Sequence, residues 1–301
     1  MLKIKKYLTV LLAIFFSLSL YSEENPNLVD FIIFSYNRPL QLYALLESIE
    51  KYMTGVGDIR VIYRSDNNRY ENAYKTVKKR FSPVIFLKQG ANPKKDFKTL
   101  TMKTLKASPH EYILFAVDDM IVTDFVDLSY TASILKKHKA YGFYLRLGKN
   151  ITFHYIRNKK EKLPPLKHVI DDIFSWKFTH GQYYWRYPNT VDMTIYKKRN
   201  ITKTFKSLNF YNPNSLESAW QKQKGQVIDQ QALCYKYSKV INIPVNRVQN
   251  TSRNKHMHSF TPKQLLDFFN QGLKIDLQPL FKIKNKSAHI AHNITFTERE
   301  L

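Results

Sequence analysis

The feature that most constrains this chain is the run Tyr112-Ile113-Leu114-Phe115-Ala116-Val117, which leads directly into Asp118-Asp119. An uninterrupted apolar run of that length, bounded by polar residues, predicts a strand buried on both faces, as in a parallel sheet. Two bare carboxylates at the end of such a strand need a partner, because an unpaired buried charge is costly. In open α/β sheets the ligand crevice lies outside the carboxyl ends of the strands. The pair is therefore expected where a divalent cation and its phosphate ligand would be held. A helix cap or a solvated turn is the plainer alternative.

The residues before this strand repeat one pattern. Phe31–Phe34 predicts a first strand, and Pro39 fits the first turn of a helix carrying Leu42, Leu45, Leu46 and Ile49 at helical spacing. Gly55 and Gly57 end that helix. Ile59–Tyr63 predicts a second strand, residues 70–80 a basic helix, and Val84–Leu87 a third strand. Phe97, Leu100, Thr101, Thr104 and Leu105 give another helix, stopped by Ser108-Pro109. The resulting β-α-β-α-β-α-β alternation calls for a parallel sheet with right-handed crossovers. Beyond Asp119 the pattern weakens. A helix through Leu128, Thr131, Ala132 and Leu135 and strands at 142–147, 191–196 and 240–243 are expected, with loop or hairpin over 149–172. Further helices are expected after Asn212-Pro213-Asn214-Ser215 and after Thr261-Pro262.

At 301 residues, 44% hydrophobic and 14% aromatic, the chain can bury a substantial core, which argues against global disorder. Its 48 Lys and Arg against 24 Asp and Glu give a net charge of +24, favouring polyanions, anionic membrane surfaces or phosphorylated small molecules as partners. The charge is spread along the chain, which weakens it as evidence. The single cysteine, Cys234, excludes an intramolecular disulfide and a cysteine zinc site. Four Asn-x-Ser/Thr sequons begin at Asn150, Asn200, Asn250 and Asn293, and in an Asn-rich chain they mean little by themselves. Lys3, Lys5 and Lys6 precede an uncharged, mostly apolar run from Tyr7 to Leu20, with Ser22 next to Glu23-Glu24. Residues 1–22 thus resemble a signal peptide, or a signal-anchor if uncleaved, and imply a protein that is exported or membrane-anchored. The run is short of the ~20 residues of a spanning helix. Residues 28–147 are expected as one α/β half and residues 148–301 as a second half with a basic tail, within a single domain.

Three motifs carry a resemblance. Ser35-Tyr36-Asn37-Arg38-Pro39 follows the first strand, Ser65-Asp66 the second, and Val117-Asp118-Asp119 the fourth. Together they resemble GT-A-type glycosyltransferases, most closely the family-2-like enzymes, well over residues 28–147. The resemblance extends more weakly to Asn212–Glu217 and Asn242–Asn246. It implies an α/β fold with a GT-A (Rossmann-like), mostly parallel sheet flanked by helices and an α+β acceptor-side region. For residues 28–147 it implies nucleotide-sugar binding, and for residues 148–301 the acceptor side. It also implies transfer of a sugar from a nucleotide-sugar donor, a UDP-sugar foremost, with Mn²⁺ or Mg²⁺ at an Asp-x-Asp-type motif. Here the motif is a bare Asp-Asp, which departs from the strict spacing. Strand alternation would point the two carboxylates to opposite sides if both stay in the strand. Asp119 is the expected metal contact, with Asp118 orienting it or touching the ribose.

By the same resemblance Tyr36 and Asn37 flank the nucleotide, Asp66 hydrogen-bonds its base or ribose, and Arg38 and Lys98 meet phosphate. An Asx-turn for Asp66 and solvated helix positions for Arg38 and Lys98 are the plainer alternatives. An inverting transfer needs a carboxylate to take the acceptor's proton. Glu217 is the first candidate and Asp192 the reserve. A cap at Asn214 would instead place Glu217 at N3 of a capping box. The aromatic segment around Trp185-Arg186-Tyr187 is either an acceptor platform or ordinary core. His256 and His258 are candidate metal ligands in a Lys-rich segment where idle, exposed histidines are common.

A sugar-phosphate nucleotidyltransferase would carry a Gly-rich loop after the first strand, and this chain has no glycine there. The non-enzymatic alternative is an exported basic protein that binds polyanions or glycans on a degenerate glycosyltransferase fold. Nucleic acid is disfavoured as a partner. The acceptor, whether glycan, lipid or protein, is left open. A signal-like start conflicts with a cytosolic donor unless the enzyme works in an endomembrane lumen, stays anchored facing its donor, or is secreted into a host.

Overall fold

A computed structural model describes residues 27–245 and 260–300. Its principal elements are β1 (Val29–Tyr36), α1 (Pro39–Tyr52), β2 (Val56–Arg64), α2 (Asn68–Arg80), β3 (Ile85–Lys88), α3 (Pro93–Ala107), β4 (Tyr112–Val117) and β5 (Met120–Val122). They continue as α4 (Leu128–Lys137), β6 (Gly142–Tyr144), β7 (Lys167–Ile170), β8 (Ile173–Lys177), β9 (Thr194–Lys197), α5 (Lys198–Ser207) and α6 (Pro213–Lys222). The last are β10 (Gln231–Tyr235), β11 (Val240–Asn242) and α7 (Pro262–Asn270).

Nine of these strands form one sheet in the order β7-β8-β10-β6-β9-β4-β1-β2-β3. The four expected strands lie side by side and parallel, with β1 between β4 and β2. The C-terminal half adds β9 antiparallel to both β4 and β6, and β10 parallel to β6. The result is an α/β fold with a large mixed sheet flanked by helices.

Period-two alternation divides the core. Phe31 and Ile33 of β1, with Leu114 and Ala116 of β4, pack under α1, α2, α4 and α7. Ile32, Phe34, Ile113 and Phe115 pack on the other face under α3, α5 and α6. Both strands are covered on both faces, so their apolar runs are continuous in sequence. Only side chains beyond the strand ends escape this packing, and the candidate site lies there. Among the described residues no helix is long and apolar enough to cross a membrane.

Several elements differ from the sequence expectation. Helix α5 was not visible in the sequence because only Ile201 and Phe205, one turn apart, are buried along it. Strands β8 and β10 also escaped. The strand expected at 142–147 is only three residues long, and Leu145 to Leu147 continue as a buried turn. The 149–172 segment contributes a small hairpin (Phe153–His154 with Lys159–Lys160) and β7, the sheet's edge strand.

Candidate active site at the carboxyl edge of the sheet

The loops leaving β1 and β4 meet at Arg38. Asn37, at φ 51°, turns the chain sharply after β1, and Asn is among the few non-glycine residues that tolerate this region. Pro39 then starts α1 at once. The turn aims Arg38 across β4, where its Nη1 lies 3.1 Å from Asp118 Oδ1 and 3.0 Å from Asp119 Oδ2. Both carboxylates have left the strand, so alternation no longer separates them, and they face the same guanidinium. The expectation of opposite sides is corrected accordingly. The Tyr36 amide donates to Asp118 Oδ2 at 3.1 Å and the Asn242 side-chain amide to Asp119 Oδ1 at 2.9 Å. Asn242 arrives because β11 pairs antiparallel with β5.

Burial pushes the Asp118 carboxyl up to about 6, against the pull of Arg38 and with a contribution from the Asp119 charge. Two carboxylates are the right ligand type for Mg²⁺ or Mn²⁺, which commonly take one or two protein carboxylates plus substrate phosphates and water. All four of their oxygens accept hydrogen bonds here, from Arg38, the Tyr36 amide and Asn242, so a cation held in that manner would take the place of the guanidinium. No group of three His, Cys, Asp or Glu converges among the described residues.

Tyr36 and Asp66 form the rim. Asp66 Oδ2 accepts from the Tyr36 hydroxyl at 2.5 Å and from Asn37 Nδ2 at 2.9 Å. Arg64 pairs with Asp66 Oδ1 at 2.9 Å and lies over the Tyr36 ring at 4.7 Å. Tyr36 lines the cavity, and Asp66 stands behind it on the exposed side.

That cavity, about 750 Å³, connects this edge to a second cluster. Arg146 is buried and holds Asp192 at 2.6 Å (Nη1 to Oδ2). Glu217 faces the same loop and accepts from the Val191 amide at 3.2 Å. Burial, then the Asp192 charge, pushes the Glu217 carboxyl up to about 7, opposed by hydrogen bonding and by Arg146. The neighbouring Tyr187 phenol is raised by burial and by the same two carboxylates. A carboxylate in this state at the wall of a cavity has the basicity suited to taking a proton near neutral pH.

The capping explanation for Glu217 does not hold. Asn212 is the N-cap of α6, its side chain accepts from Ser215 N at 2.8 Å, and Ser215 closes the capping box. Glu217 is two residues further along and free of that duty.

Lys98 is placed elsewhere. Its ammonium donates to the carbonyls of Leu208 (2.5 Å) and Lys206 (3.5 Å), past the end of α5, and it does not line the cavity. Helix α3 turns this face toward α5, so the expected phosphate contact is corrected to a structural one. Trp185 is wholly buried and belongs to the core, while Tyr183, Arg186 and Tyr187 line the cavity. His256 and His258 lie outside the described residues.

The sequence reading missed Arg146, His154 and His289. His289 bridges to Asn242 on the parallel side, hydrogen-bonds the Tyr184 hydroxyl through Nδ1 at 2.9 Å, and is held neutral by burial, with its pKa pushed down to about 3. His154 stacks on Tyr184 at 4.0 Å. An arginine inside the apolar Gly142–Leu147 run was the visible signal for Arg146.

Comparison with known proteins bears out the resemblance carried by the three motifs. The chain is similar to a glycosyltransferase. It is 26% identical over 259 residues to the bifunctional glycosyltransferase pgtA of Dictyostelium discoideum, a match covering 76% of this chain and 33% of that protein. The chain thus spans about a third of the length of the curated relative it matches. No family model matches. Among solved structures, S. aureus TarS 1-349 in complex with UDP aligns with a TM-score of 0.44 at 15% identity, covering 69% of this chain and 58% of that one. The mannosyltransferase PcManGT from Pyrobaculum calidifontis, in complex with GDP-Man and Mn²⁺, aligns at 0.39 and 10%, covering 68% and 53%.

Proposed function

We propose that this protein transfers a sugar from a nucleotide-sugar donor, a UDP-sugar foremost, to an acceptor hydroxyl. The observation that carries the proposal is that one cavity joins Arg38, Asp118 and Asp119 at the strand ends to Asp192 and Glu217 on its far wall. The similarity to a glycosyltransferase supports the same reading. Tyr36, Asn37 and Asp66 receive the nucleoside, and Arg38 serves the diphosphate. Asp119, with Asp118 beside it, would hold Mn²⁺ or Mg²⁺ once Arg38 turns from the pair to the diphosphate. When bound, such an ion stabilises the charge that develops on a departing diphosphate.

In an inverting transfer, Glu217 takes the acceptor's proton as its oxygen bonds to the anomeric carbon and the bond to the diphosphate breaks. Asp192 keeps Glu217 basic through its charge and is the reserve base. Tyr183 and Tyr187 offer faces for the acceptor. Residues 1–22 direct the protein out of the cytosol or anchor it to a membrane.

The test is a donor-hydrolysis screen across nucleotide sugars, with and without Mn²⁺, beside calorimetric titration of UDP. Turnover of at least one donor that falls in both Asp119→Ala and Glu217→Gln supports the proposal. UDP affinity and donor turnover both unchanged by Asp119→Ala would remove the role given to the pair.

A further inference from the structure

We propose that the acceptor is anionic, and that Arg157, Arg186 and Lys224 form the subsite for its phosphate or carboxylate group. This deepens the glycosyltransferase reading and rests on it for the word acceptor.

The inference starts from the charges in the cavity wall. Arg38 pairs with Asp118 and Asp119 and is assigned to the donor's diphosphate, and Arg146 pairs with Asp192. Arg157, Arg186 and Lys224 also line the cavity, and none of them is in an ion pair among the described residues. All three are exposed, so their heads are open to a ligand. Arg157 lies over the Tyr183 ring at 5.3 Å, which orients the planar guanidinium. Arginine's fork matches carboxylate and phosphate oxygens bidentately. Like charges in a concave wall focus the field and concentrate anions.

Position assigns this anion to the acceptor rather than the donor. The three cations line the same cavity as Asp192 and Glu217, and two of them are tied to that cluster by sequence. Glu217 and Gln221 are one turn apart on α6, and Lys224 lies just past that helix in a short 3-10 turn, all lining the cavity. Arg186 is adjacent in sequence to Tyr187, whose phenol feels both carboxylates. A hydroxyl at Glu217 therefore belongs to a molecule whose charged group reaches the cationic end, with Tyr183 and Tyr187 against the body between.

The experiment is binding of the full chain to an array carrying neutral glycans beside their carboxylated and phosphorylated counterparts. The variants are Arg157→Gln/Arg186→Gln/Lys224→Gln and a control of equal charge loss at exposed remote sites, Lys79→Gln/Lys103→Gln/Lys137→Gln. The expected result is about tenfold tighter binding of anionic glycans, lost in the cavity variant and kept in the control. The carboxylated and phosphorylated arms tell which oxyanion is preferred. Equal binding of neutral and anionic glycans, no binding of either, or equal loss in the two variants overturns the subsite. Titration with UDP in parallel separates the readings. Lost UDP binding in the wild type counts against the donor site alone, whereas UDP binding kept in the cavity variant is expected here.

Discussion

Replacing Arg38 by Met tests the electrostatic core of the site. The guanidinium and its two carboxylates are 12%, 6% and 14% exposed at the side chain, so the Met variant leaves two nearly buried negative charges facing each other. Removing one partner of a buried ion pair costs about 3–5 kcal/mol. The pH dependence distinguishes this from lost packing. Burial already raises the Asp118 carboxyl above its ordinary value in the folded chain. A raised carboxyl contributes stability that is full below the unfolded value and is lost as pH rises through the folded one. Without Arg38 the folded value climbs further, so the variant's deficit grows with pH. Urea unfolding followed by the fluorescence of the buried Trp176, Trp185 and Trp220 reads it out. The expected deficit is about 3–5 kcal/mol at pH 8 and less than about half of that at pH 4.5. A deficit equal at both values, or below about 1 kcal/mol at pH 8, refutes the electrostatic account.

If Glu217 is the base, it must be deprotonated, so turnover rises with pH through about 7. Glu217→Gln should lower kcat by about 100-fold or more while urea unfolding stays near wild type. Asp192→Asn should move the rising limb to lower pH, because it removes a charge that raises Glu217; disappearance of turnover at every pH would instead assign the base to Asp192. Lys98→Met should leave the donor KM unchanged and cost about 1 kcal/mol in unfolding, since carbonyl contacts and a cation–π contact with Phe210 are lost. A raised donor KM in that variant would restore the phosphate role.

The parts legible in the sequence share one property: their signal is local. β1 and β4 are apolar runs with polar ends, and α1 carries its period over three turns after Pro39. The Asp-Asp pair is conspicuous because such a run has no other reason to end there. Where one or two residues anchor an element, as Ile201 and Phe205 do in α5, the period has too few points to emerge. The cap of α6 was readable and was misplaced by two residues. Pro at N1 points to Asn212, whereas Asn214 already lies inside the helix.

The sequence by itself determined the α/β alternation and the placing of Tyr36, Arg38, Asp66, Asp118 and Asp119 at strand ends, because period and chain connectivity need no distant partner. Only the tertiary structure decided what these residues meet. Pairing of β11 with β5 brings Asn242 to Asp119 across more than a hundred residues. The turn at Asn37 folds Arg38 onto both carboxylates. The insertion of β9 beside β4 and β6 carries the Asp192 loop against Arg146 and Glu217. Long-range pairings of this kind depend on which surfaces remain to be buried once the local elements exist, and no window of sequence contains that information.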